Sequence, residues 1–146
     1  MVAGKHLILA VLLLLLFGAC ETGRRSPVGF RLPDNGDVER GKTAFVELQC
    51  VNCHTVQGMD LPAPPEGATV VALGGVVREI RTDGYMVTSI IHPSHRLARQ
   101  ARVDIAVEGE SRMPDFARTM TVRQMIDITA FLQETYRFEP PPGPIY

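Results

Sequence analysis

Cys50-Val51-Asn52-Cys53-His54 constrains this chain more than any other stretch of it. Two thiols three positions apart, followed at once by an imidazole, form the C-x-x-C-H pattern of covalent haem attachment. The chemistry fixes the spacing. The thiols add across the two vinyl groups of one porphyrin, so they stand about one helical turn apart. His54, next in the chain, then lies under the ring, where its imidazole can ligate the iron. The motif therefore sets the cofactor, the compartment and most of the fold together.

Competing readings of the cysteine pair fail on context. A structural zinc site takes four ligands, and no second cysteine pair or cysteine-histidine set supplies them. A thioredoxin-like redox pair sits in a βαβ unit, whereas Cys50 follows a helical pattern. An export signal supplies the compartment that haem attachment needs. Lys5 and His6 precede an unbroken apolar run from Leu7 to Phe17, which ends in Gly18-Ala19-Cys20. A charged start, about 11 apolar residues and a small-residue end make a secretory signal over residues 1–19. A membrane span needs ~20 apolar residues, so the run is short for one.

Cys20 stands where a signal of this kind is cut. Leu16-Phe17-Gly18-Ala19-Cys20 is similar to a bacterial lipobox, with Phe17 in place of the usual leucine. Lipidation of Cys20 is expected, because a lone exposed thiol in an exported protein is otherwise a reactive liability. Several acyl chains, at ~0.8 kcal/mol per buried CH₂, hold a small domain on a membrane surface. The expected address is the bacterial cell envelope, periplasm-facing and lipid-anchored. All three cysteines then have an assignment and no disulfide remains to be placed.

Residues 20–36 are polar, punctuated by Gly23, Pro27, Gly29, Pro33 and Gly36, and without periodicity, which predicts a tether. Residues 139–146, with Pro140-Pro141-Pro142-Gly143-Pro144, cannot continue a helix and predict an extended tail. The folded unit is thus residues 37–138. At about 100 residues it is small, and a covalently held haem adds a large apolar body to its core. The formal net charge of −1 over 146 residues gives no reason to expect a nucleic-acid partner.

The fold class expected is mainly α, with a possible small β insertion in the middle. Asp37 caps a first helix from Val38 to about Cys50, with Val38, Gly41, Phe45 and Leu48 on one stripe. Gly41 inside it costs ~1 kcal/mol relative to Ala, which suggests close approach of another helix. Thr121-Val122-Arg123-Gln124 fits a capping box flanked by the staple pair Met120 and Met125. Met125, Ile128, Phe131, Leu132 and Thr135 give that last helix its buried stripe, ending near Arg137. A short helix from Gly84 to Ile91, capped by Asp83 and stopped by His92-Pro93, lies between them. A second is expected over Ser94 to Arg102. Thr69–Leu73, Val76–Arg81 and Val103–Val107 are β-branched and predict a hairpin or short sheet, with Gly74-Gly75 between the first two.

These elements, taken in order, resemble class I cytochrome c. Gly41-x-x-x-Phe45 precedes the C-x-x-C-H, a later Met113-Pro114 follows, and Ile128-x-x-Phe131-Leu132 closes the chain. The likeness covers residues from about Asp37 to Tyr136. It implies that Gly41 and Phe45 pack against Ile128 and Phe131. It also implies a proline carbonyl, about a dozen residues past His54, that accepts from the second ring nitrogen. Pro62, Pro64 and Pro65 lie in that zone, and Pro65 matches best.

For the sixth ligand the residues favour Met113, which precedes a proline in a loop-like stretch before the last helix. Met59 is too near His54, Met120 and Met125 have staple and core roles, and Met86 falls inside a helix, where gap-filling is the ordinary role. His92 or His95 would give bis-histidine ligation, and an open sixth site is the remaining option. Arg96, Arg99 and Arg102 recur every third residue, a pattern more often a solvated helix face than a docking surface or a set of propionate donors. A filled sixth position leaves substrate no place on the iron. The expected activity is single-electron transfer with one haem c, bound through Cys50, Cys53, His54 and Met113, between redox partner proteins. The alternatives are a subunit fixed in a larger oxidoreductase and a haem enzyme, either a peroxidase or a gas binder.

Overall fold

A computed structural model describes residues 29–97 and 105–143. The signal segment 1–19, Cys20, Arg99 and Arg102 lie outside the described residues, as does the greater part of the helix expected over Ser94–Arg102. Among the described residues no helix is long and apolar enough to cross a membrane.

Among the described residues three α-helices carry the fold: α1 (Val38–Glu47), α2 (Asp83–Ile91) and α3 (Val122–Thr135). Asp37 caps α1, its carboxylate accepting from the Arg40 N–H at 2.9 Å. Thr121 and Gln124 form the reciprocal capping box of α3, each side chain taking the other's backbone N–H. At α2 the cap is Thr82, which accepts from the Tyr85 N–H at 3.2 Å. The expected cap, Asp83, is spent on tertiary bonds instead. Its carboxylate accepts from the Leu32 N–H at 2.9 Å and from the Gln133 amide at 2.7 Å.

Among the described elements, α1 and α3 form the most extensive pairing. Gly41 and Phe45 of α1 meet Asp127 and Phe131 of α3, with the Phe45 and Phe131 rings edge to face at 5.7 Å. Phe45, Phe131 and Ile128 are almost wholly buried, at 2%, 0% and 1% exposure. Val51, Val56, Met86, Ile90 and Phe116 extend this core towards α2 and the loops. The crossing implied by the resemblance is thus present in this fold.

The strands are short and pair otherwise than the sequence suggests. β1 (His54–Val56) runs parallel to β2 (Val71–Leu73), and β3 (Gly75–Val77) runs parallel to β6 (Tyr136–Phe138). β4 (Ala106–Val107) and β5 (Glu110–Ser111) make an antiparallel hairpin. The expected hairpin between the segments either side of Gly74-Gly75 does not form. Both glycines have positive φ, 85° and 79°, and they turn the chain from one partner to the other. α3 stops at Thr135, two residues short of the expected end, because Tyr136 enters β6. After α2, Pro93–His95 form a single 3₁₀ turn, which overlaps the expected second helix only at Ser94 and His95.

The N-terminal segment packs from Leu32 onward. Besides the Leu32 bond to Asp83, the Arg123 guanidinium donates to the Asn35 side chain at 3.1 Å, and Gly36 lies against Ala130 of α3. Thus the last residues ahead of α1 bridge α2 and α3.

Candidate haem site

The attachment motif is placed by the end of α1. Gln49, at φ 58°, breaks the helix, and Cys50–Asn52 follow as a 3₁₀ turn in which the Cys53 N–H donates to the Cys50 carbonyl at 3.2 Å. This turn brings both thiols to one side of the chain. Cys50 is half-buried and Cys53 exposed. Burial pushes the Cys50 thiol up to about 11, the reverse of the depressed value that activates a redox-active pair.

His54 opens β1 opposite Val71. The Val71 N–H donates to the Cys53 carbonyl at 2.8 Å, and the Val71 carbonyl faces His54 Nδ1 at 3.1 Å. With the Nδ1 proton donated there, Nε2 keeps its lone pair, the form a metal ligand needs. Burial holds the imidazole below its ordinary value, against the Val71 bond, which raises it. The Phe45 ring stands 6.4 Å from the imidazole and ties its orientation to the helix crossing. The carbonyl therefore comes from Val71, not from Pro62, Pro64 or Pro65. Pro65 is occupied in a turn, its carbonyl accepting from the Ala68 N–H at 3.1 Å.

Cys50, Cys53 and His54 form one wall of a cavity of about 910 Å³. That is towards the top of the roughly 300–1,000 Å³ range of cofactor sites. Met113 and Pro114 line it too, as do His92 and His95 with their rings 5.6 Å apart. The other methionines among the described residues lie elsewhere: Met86 and Met125 in the core, Met120 packed against it, and Met59 at the surface. Leu48, Val71, Ile105 and Phe116 supply apolar lining, and Arg96 and Arg112 supply positive charge. Two thiols, an imidazole with one nitrogen free and apolar walls fit a covalently held haem. Among the described residues no three His, Cys, Asp or Glu side chains converge as a metal-binding group.

Sequence reasoning missed Val71, Arg112 and the cavity face of α2. That face was visible in principle. Tyr85, Thr88, Ser89 and His92 recur at i, i+3, i+4 and i+7, and all four line the cavity.

Fold and cavity together define a covalent-haem protein in which helices and short strands surround the attachment motif. The family model described as Cytochrome c matches residues 38–135, and the chain belongs to the cytochrome c family. It accordingly carries haem c, bound covalently with its iron, in a family whose business is haem-based electron transfer. No curated protein and no solved structure matches the chain.

Proposed function

We propose that the protein is a bacterial class I cytochrome c that carries single electrons while tethered to a membrane of the cell envelope through a lipid on Cys20. Its one haem is held by thioethers from Cys50 and Cys53 and ligated by His54 and Met113. The observation that carries this reading is the meeting of those four side chains on the walls of one cavity. Haem iron supplies the one-electron ferric–ferrous couple. The protein's part is to fill both axial positions, to keep the pocket apolar and to set the potential, which a thioether raises relative to a second imidazole. With both positions taken, no substrate reaches the iron, which favours a carrier over a peroxidase or gas binder.

Spectra of the purified holoprotein test the ligand set. Oxidised wild type is expected to show the sulfur-to-iron charge-transfer absorption, and Met113→Ala to lose it and to bind cyanide rapidly. A wild type without the band that binds cyanide at once would sink the carrier reading. A second ligand set, His54 with His92 or His95, draws on the place of both histidines in the same cavity. It predicts that Met113→Ala leaves the oxidised spectrum unchanged. Anchoring is tested separately. Cys20→Ser should move the protein from the membrane to the soluble fraction, and detergent-purified protein should elute without a stoichiometric partner if it is a mobile carrier.

A further inference from the structure

Met113 reaches the cavity from a hairpin that has little stability of its own. β4 and β5 contribute two residues each and turn through Glu108 and Gly109, both at positive φ, 52° and 86°. Two-stranded ribbons of any length are marginal in water, and this one is minimal. Its exit is held by three bonds. The Arg112 N–H donates to the Ile105 carbonyl at 2.8 Å, the Ser111 N–H donates to Ser94 Oγ at 3.0 Å, and the Met113 N–H donates to Ser111 Oγ at 3.1 Å. Ser94 belongs to the 3₁₀ turn that follows α2, and α2 is seated in the core through Met86 and Ile90. Two serine hydroxyls therefore link the Met113 backbone to a core helix.

We infer that Ser111, backed by Ser94, is a positioning residue for Met113: the serine pair fixes where the thioether stands in the cavity wall. This rests on the reading of Met113 as sixth ligand. A neutral thioether has imidazole competitors in the same cavity, His92 and His95, so its hold depends on how firmly the chain presents it. Hydrogen bonds outside the ligand shell are worth about 10–100-fold in metal affinity where they orient a ligand. The Ser111 hydroxyl takes the N–H of the ligand residue itself, the shortest lever available.

The experiment is a titration of ferric holoprotein with imidazole, following loss of the sulfur-to-iron charge-transfer band. Ser111→Ala is expected to lose the band at an imidazole concentration roughly tenfold lower than wild type. Ser94→Ala should shift the same way, while Ser111→Thr, which keeps the hydroxyl, should match wild type. Unchanged midpoints in both alanine variants at positions 94 and 111 would overturn the positioning role while leaving Met113 ligation intact. A wild type with no band would overturn the ligation reading beneath it. If Ser111→Ala does not mature with haem, Ser94→Ala carries the same test.

Discussion

Gly41 lies against the Asp127 carbonyl where α1 crosses α3, so closely that a Cβ would overlap the Asp127 backbone and come within 2.8 Å of Phe131 Cβ. The obstacle is backbone, which cannot step aside as the end of a flexible side chain can. Gly41→Ala gains ~1 kcal/mol of helix propensity. Overpacking at a filled contact costs about 1–3 kcal/mol, and a backbone obstacle puts this site at the upper end. A net loss of about 2 kcal/mol is expected. It would be read as a lower guanidinium midpoint at unchanged slope. A stabilised variant would mean that the helices cross elsewhere.

Asp127 ties the same crossing together electrostatically. Its carboxylate is buried, yet it accepts from Arg40 Nε at 2.9 Å, from Arg40 Nη2 at 3.2 Å and from the Asp37 N–H at 2.9 Å. The Arg40 hydrogen bond holds it below the usual carboxylate range, against burial, which pushes it up. A carboxylate depressed in the folded state gives stability that is fully present above its unfolded value, about 3.9, and is lost as pH falls through the folded value. The wild-type melting temperature should therefore drop between pH 5 and pH 3 more steeply than that of Asp127→Asn. Parallel curves over that window would show that the pair contributes nothing pH-dependent.

Gln49 is the non-glycine residue that bends the chain into the attachment motif. At φ 58° and ψ 24° it holds the left-handed conformation that ends a helix, a place where glycine is usual. A side chain there costs about 1–2 kcal/mol, and glycine gives back up to ~1 kcal/mol through the freer unfolded chain. Gln49→Gly is thus expected to stabilise the holoprotein by about 0.5 kcal/mol. Gln49→Val, β-branched, should destabilise it by about 1 kcal/mol in the same denaturation series. The reverse order would show that the glutamine side chain has a role in the cavity it lines.

Elements whose signals are local were legible in the sequence. Asp37, Thr121 and Gln124 act within one turn of themselves, and the stripe through Gly41 and Phe45 repeats at helical spacing. What was not legible depends on distant partners. Val71 lies seventeen residues from His54 and is recruited by a parallel strand pair only three residues long, too short to show a period. β3 finds its partner beyond α3, so the Gly74-Gly75 pair, which locally resembles a hairpin turn, serves as a switch between sheets. Asp83 looked like a cap because it precedes the helix, but Leu32 and Gln133 claim its carboxylate from elsewhere in the chain. The attachment motif was legible because covalent chemistry fixes its spacing, whatever the fold around it.

Thr129 and Gln133 lie one turn apart on the buried side of α3, 2% and 6% exposed. Thr129 Oγ1 and Gln133 Oε1 have no partner among the described residues. The two side chains differ in what they would lose. Gln133 gives its amide protons to Asp83 at 2.7 Å and to the Arg81 carbonyl at 3.3 Å, so Gln133→Leu should cost about 1–3 kcal/mol by stranding those acceptors. Thr129→Val keeps the branched shape and removes only the hydroxyl. Deleting a buried polar group that has no partner is neutral or favourable, so stability should stay level or rise by up to ~1 kcal/mol. Both residues also line a second cavity, of about 210 Å³, beneath Leu32–Asp34. If Thr129→Val instead loses more than about 1 kcal/mol in urea, the hydroxyl bonds to ordered water in that cavity, since buried waters take up polar groups the chain leaves unpaired.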